Sequence, residues 1–153
     1  MRHVTYLFAT LLLGIFSSLP AQVTVLDGDW QGTITVGGLD SPTEYPIELY
    51  LVREGSRVTG RSYITIAPGQ TIIMDLAGYL YQDFSILLHE VGRAGNSSPD
   101  LISKLPRKYQ IRWHRRATGS GLEGFWQEIM EDDPFNENRD LGRLKLARRV
   151  TGA

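Results

Sequence analysis

Gly28-Asp29-Trp30-Gln31-Gly32 sets a tryptophan between two glycines at the head of an alternating run that continues through Thr33, Ile34, Thr35 and Val36. Alternation at period 2 marks a strand with one face buried and one in water. Trp30, Ile34 and Val36 share a face with Gly32, while Gln31, Thr33 and Thr35 take the other. The pattern recurs along the chain, and it predicts eight strands at 27–36, 45–54, 57–66, 71–81, 83–91, 108–117, 121–130 and 139–149. No amphipathic helix of normal length interrupts them.

Gly55-Ser56, Tyr81-Gln82-Asp83 and Thr118-Gly119-Ser120-Gly121 are tight turns between successive strands. Short links favour a meander, since a Greek key needs at least one long crossover. The expected fold is all-β, an eight-stranded antiparallel up-and-down β-barrel. Parity points Tyr45, Ile47, Leu49 and Leu51 inward, then Val58, Gly60, Ile64 and Ile66, then Ile72, Met74, Leu76 and Leu80. Further on it points inward Phe84, Ile86, Leu88 and Glu90, then Tyr109, Ile111, Trp113 and Arg115. The last two strands give Leu122, Gly124, Trp126 and Glu128, then Leu144, Leu146 and Arg148.

In a meander alternate connections fall at one end. The three tight turns lie at the end where Trp30 begins, here called end A. The opposite end B takes Gly37–Glu44, Ala67–Gln70, Gly92–Arg107 and Glu131–Asn138, three of them long. Long loops at one end suit a mouth that admits a ligand, and equally suit tolerated insertions.

Composition narrows the classes. The chain has 153 residues, enough for one domain with a true core, and a net charge of −1. That balance gives no electrostatic case for nucleic acid or an anionic membrane surface. Arg2 and His3 precede an apolar run from Tyr6 to Phe16, then Ser17-Ser18-Leu19-Pro20-Ala21. These are the parts of a secretory signal peptide, 1–21, with one barrel domain over 22–153 and an exported, secreted or periplasmic product. About a dozen apolar residues fall short of the roughly 20 that span a bilayer. With no cysteine, stability rests on packing and strand pairing alone.

Gly28-x-Trp30 opening the first of eight meandering strands resembles the calycin superfamily, the lipocalins and avidin-like barrels. In lipocalins this tryptophan plugs the closed end and an arginine late in the last strand lies over it. The resemblance therefore implies Trp30 and Arg148 (or Arg149, one register on) as a structural plug. The chain departs from the pattern in lacking a disulfide, a lipocalin motif between middle strands and room for a helix after the last strand. Gln31-Gly32-Thr33 stands where avidins place polar biotin contacts, and the last strand lacks their aspartate, so biotin binding is not implied.

Tyr45, Glu90, Tyr109, Trp113, Trp126 and Glu128 form the candidate ligand-binding mouth and cavity. Two carboxylates facing a partly apolar lumen repel and raise the pKa of one, which suits acid–base chemistry or a cationic ligand; at a solvated rim they do neither. Glu131-Asp132-Asp133-Pro134-Phe135-Asn136-Glu137-Asn138 is oxygen-rich but lacks the EF-hand spacing, and reads first as a polar loop. His89 and His114 face outward on neighbouring strands without a third ligand, so no metal is expected. Ser98-Pro99-Asp100 opens one or two helical turns whose Leu101, Ile102 and Leu105 cover the mouth or pack on its shoulder. Tyr63, Ile73, Tyr79 and Leu87 form an outward patch fit for a homo-oligomer or protein partner. No nucleophile motif, phosphate loop or metal cluster is present, and no cofactor is expected.

Three functions remain. The first is a secreted barrel binding a small, largely apolar molecule. The second is a non-enzymatic partner or assembly protein whose barrel is filled by side chains, and the third an isomerase or cyclase using the mouth carboxylates.

Overall fold

The computed structural model describes residues 25–131 and 138–149. Its strands are β1 (Gly28–Thr35), β2 (Glu44–Glu54), β3 (Arg57–Ala67), β4 (Gln70–Leu80), β5 (Ser85–Arg93), β6 (Arg107–Arg116), β7 (Gly119–Glu128) and β8 (Leu141–Arg148). Each pairs antiparallel with the next, and β8 pairs with β1, so the sheet closes into a barrel with no free edge. The signal segment lies outside the described residues. Among the described residues no helix is long and apolar enough to cross a membrane.

The period-2 pattern becomes the packing. Trp30, Ile34, Leu51, Val58, Ile64, Ile72, Leu88, Tyr109 and Leu122 have no accessible surface, so no water-sized space touches them. An eight-stranded barrel is just wide enough for its side chains to fill, and this one is filled at those positions. Inward glycines let the strands coil tightly. A Cβ at Gly32 would lie 1.9 Å from the Lys145 carbonyl oxygen, and one at Gly124 2.0 Å from that of Gln110. Only glycine admits so close a neighbouring strand.

End A is sealed by Trp30. Its Nε1–H donates to the Leu26 carbonyl at 2.9 Å, and the Arg148 guanidinium lies over the ring, 5.2 Å from its centroid. Arg148 also donates to the Asp27 carbonyl, while the Asp27 carboxylate accepts the Arg53 amide at 2.7 Å. The segment before β1 is thus strapped across the barrel floor.

Three expectations fail locally. Phe84 does not face inward: it sits in the β4–β5 turn with φ of 63° and is 52% exposed. Arg115 is exposed too, where β6 runs out at its hairpin. Residues 98–104 form no helix. The Asp100 carboxylate accepts the amides of Ile102 and Ser103 at 2.9 and 3.0 Å and closes a side-chain turn that competes with one. His89 pairs with Lys108 and His114 with Gly121, so the two histidines sit at opposite ends of the wall.

Candidate functional site

End B gathers most of the candidate residues. Glu90 on β5 and Arg107 and Tyr109 on β6 converge because each holds inward parity beside the strand ends. Arg107 Nε donates to Glu90 Oε1 at 2.8 Å, its backbone amide donates to Oε2 at 2.9 Å, and the Tyr109 hydroxyl donates to Oε1 at 2.6 Å. Arg107 Nη2 reaches Asp100 at 2.6 Å, and its guanidinium stands 5.8 Å from the centroid of Trp126. Trp126 Nε1–H donates past Gly142 of β8 to the Thr35 carbonyl on β1 at 2.8 Å.

Glu128 closes the other side. Its Oε1 accepts the Ser103 hydroxyl at 2.7 Å and the amides of Lys104 and Leu105 at 3.1 and 3.4 Å, while Oε2 accepts the Asp140 amide at 3.0 Å. One carboxylate therefore ties the β5–β6 loop to the β7–β8 loop. Ile102 turns inward and is buried, whereas Leu101 is 77% exposed.

Electrostatics follow from this bonding. Burial opposes the Arg107 charge, but the carboxylates of Glu90 and Asp100 outweigh it and hold the guanidinium firmly protonated. Burial, then the Glu90 charge, pushes the Tyr109 phenol up, so it stays a neutral donor. Burial also opposes the Glu128 charge, yet the Ser103 hydroxyl and the Asp140, Leu105 and Lys104 amides leave its pKa below the ordinary range. Each carboxylate is held by protein donors and buried, so neither is offered to a substrate in this arrangement.

The other candidates lie apart. Tyr45 enters half-buried from β2, packed against the core. Trp113 lies toward end A, packed on Phe84 with ring centroids 5.4 Å apart, its buried Nε1 without a hydrogen-bond partner. Arg107 lies one residue before the strand predicted from 108, and the run Arg107-x-Tyr109-x-Ile111 carries its parity. Asp100 and Ser103 fall in the stretch expected to form helical turns, a pattern that does not disclose their bonds to Arg107 and Glu128. Most of the acidic stretch 131–138 lies outside the described residues. Among those described, no three His, Cys, Asp or Glu side chains are placed to hold a metal.

The outer wall is open. Tyr63 pairs with Ile73 and Tyr79 with Leu87, but the Arg61–Asp75 ion pair at 2.9 Å lies between the two pairs along β4. Tyr79 belongs instead to a cross-strand row that runs through Leu87 and Gln110 to Phe125 and Arg143. Two grooves meet at Phe125, one toward Tyr81 and Leu87, the other toward Leu39 and Leu141.

No protein-family model matches the chain, and neither a curated protein nor a solved structure matches it.

Proposed function

We propose that this chain is a secreted, non-enzymatic barrel that works from its outer wall by binding a protein partner, its lumen serving as core. The observation that carries the reading is the fate of the mouth residues. Glu90, Tyr109, Trp126 and Glu128 are buried and bonded to Arg107, Ser103, Thr35 and loop amides, beneath a loop whose Ile102 packs inward. Meanwhile Tyr79 and Phe125 stay about half exposed on a continuous row. Exposed aromatics of this kind are favoured anchors at interfaces. Within this reading the scaffold is calycin-like, supported by Gly28-x-Trp30 and the guanidinium over its ring. Export is supported by the character of residues 1–21.

A second reading keeps a small apolar ligand in the lumen. It is favoured by one feature: the seal over end B is a loop, residues 94–106, with neither helix nor strand of its own. Were it to lift, Tyr109 and Trp126 would face the mouth. The isomerase or cyclase reading has less support, because both carboxylates already hold protein donors.

The test removes the wall aromatics. Tyr79→Ser with Phe125→Ser should abolish partner binding in cross-linking of the native host fraction while leaving the melting temperature within a few degrees. Unchanged cross-linking in that variant would count against the outer-wall reading.

A further inference from the structure

The net charge is −1, yet the outward positions are sorted by sign. On β6, β7 and β8 they carry Lys108, Arg112, Arg116, Arg143 and Lys145 against Glu123 alone. On β1 and β2 they carry Asp29, Glu44, Glu48 and Glu54 with no lysine or arginine. These walls adjoin, because β8 pairs with β1 in register from Trp30–Arg148 to Ile34–Leu144. A nearly neutral barrel thus carries a basic wall and an acidic wall on either side of one seam.

Along that seam the surface is low. Gln31 and Thr33 on β1 stand beside Ala147 on β8 and Gly121 on β7 in a groove that His114, Arg116, Glu123 and Lys145 also line. An exposed aromatic stands on each flank, Phe125 on β7 and Tyr50 on β2. Several of the charges are in loose pairs within the chain: Arg143–Asp40 at 3.3 Å and Arg149–Glu48 at 3.6 Å, with every side chain at least half exposed. Pairs so exposed hold weakly and exchange readily for others.

Symmetry turns this sorting into a contact. Two copies facing each other about a two-fold axis along the seam set each basic wall against the partner's acidic wall. The contact then occurs twice, as an isologous dimer requires. We propose that the outer wall binds a second copy of this chain, through Arg143 and Lys145 of one protomer against Glu44 and Glu48 of the other. This rests on the outer-wall reading and places the contact at the β8–β1 seam beside Phe125; Tyr79, on β4 across the closed barrel, lies outside it. The occupant follows from complementarity: the acidic, tyrosine-bearing surface that would suit the basic wall is present on the same molecule.

The test is sedimentation velocity on the exported protein at about 20 mM and about 500 mM salt, a range over which the Debye length shrinks severalfold. The wild type should be a dimer at low salt and shift to monomer at high salt. Arg143→Glu with Lys145→Glu, and separately Glu44→Lys with Glu48→Lys, should each give a folded monomer, verified by an unchanged melting curve. Mixing the two variants should restore a heterodimer, since each then meets opposite charge on both walls. A monomer at every salt, or a mixture that fails to associate, overturns the pairing. A salt-indifferent dimer lost on Phe125→Ser also overturns it while leaving the outer-wall reading in place. A monomer that carries a small molecule in its lumen overturns both.

Discussion

The Arg107 guanidinium meets the Glu90 carboxylate at 2.8 Å with neither side chain more than 1% exposed, at the end of the barrel that the long loops cover. A charge pair so deep is costly wherever a lone pair or proton is left unbonded. Here Tyr109 and Asp100 supply further bonds while the buried Arg107 Nη1 is left without a partner, and the pair becomes the floor on which the β5–β6 loop rests.

Arg107→Leu strands Glu90 in the core, and removing one member of a buried pair costs about 3–5 kcal/mol. Arg107→Leu combined with Glu90→Leu should recover a large part of that loss. Urea melts of Arg107→Leu, Glu90→Leu and the double variant decide it. A double variant as unstable as the two single changes summed would mean that the pair is not the unit.

Glu128 makes the end-B seal sensitive to acid. Its folded-state pKa lies below the ordinary 4.5, so its contribution is complete above that value and is lost as pH falls through the folded-state pKa. Exchange of the Lys104, Leu105 and Asp140 amides, corrected for intrinsic rates, should therefore rise on acidification below about pH 4.5. Glu128→Gln should remove that step and leave these amides exchanging faster at neutral pH. Tyr109 gives the opposite limb. Its raised pKa stabilises the fold fully below 10 and is lost as pH climbs further.

Ser62 lies inside the barrel with no accessible surface, and its hydroxyl has no partner. Ser62→Ala should raise stability by on the order of 1 kcal/mol, since an unpaired buried hydroxyl is a net cost. A loss on thermal melting would mean that something in the lumen bonds it, and would favour the ligand-holding reading.

Gly124 and Gly92 separate crowding from mere flexibility. Gly124→Ala drives a Cβ into the Gln110 carbonyl and should cost roughly 1–3 kcal/mol or more. A Cβ at Gly92 meets nothing within 4 Å, so Gly92→Ala should stay within about 0.5 kcal/mol of wild type. Equal losses at both sites would deny the tight coiling.

The fold was legible because period-2 alternation and two-residue turns are local. Trp30, Ile47, Leu88 and Leu146 announce their side of the sheet by spacing alone. Phe84 was misjudged because the alternation runs straight into a turn, where φ of 63° reverses what parity predicts. The site was half legible. Glu90, Tyr109, Trp126 and Glu128 do converge at end B, but their bonding depends on Arg107, Asp100 and Ser103, which the loop brings in by tertiary contact. An arginine inside a barrel runs against expectation until its partners are in place. Trp113 shared the right parity at the wrong height, because spacing fixes a face far better than a level along the barrel.

Native mass spectrometry of the protein purified from its own host tests the central claim most directly. A filled lumen and a working outer wall predict no co-purifying small molecule, and a protein–protein mass that disappears on Tyr79→Ser with Phe125→Ser. A reproducible small molecule, released on unfolding and lost on Trp126→Ala, would contradict the account and return function to the lumen.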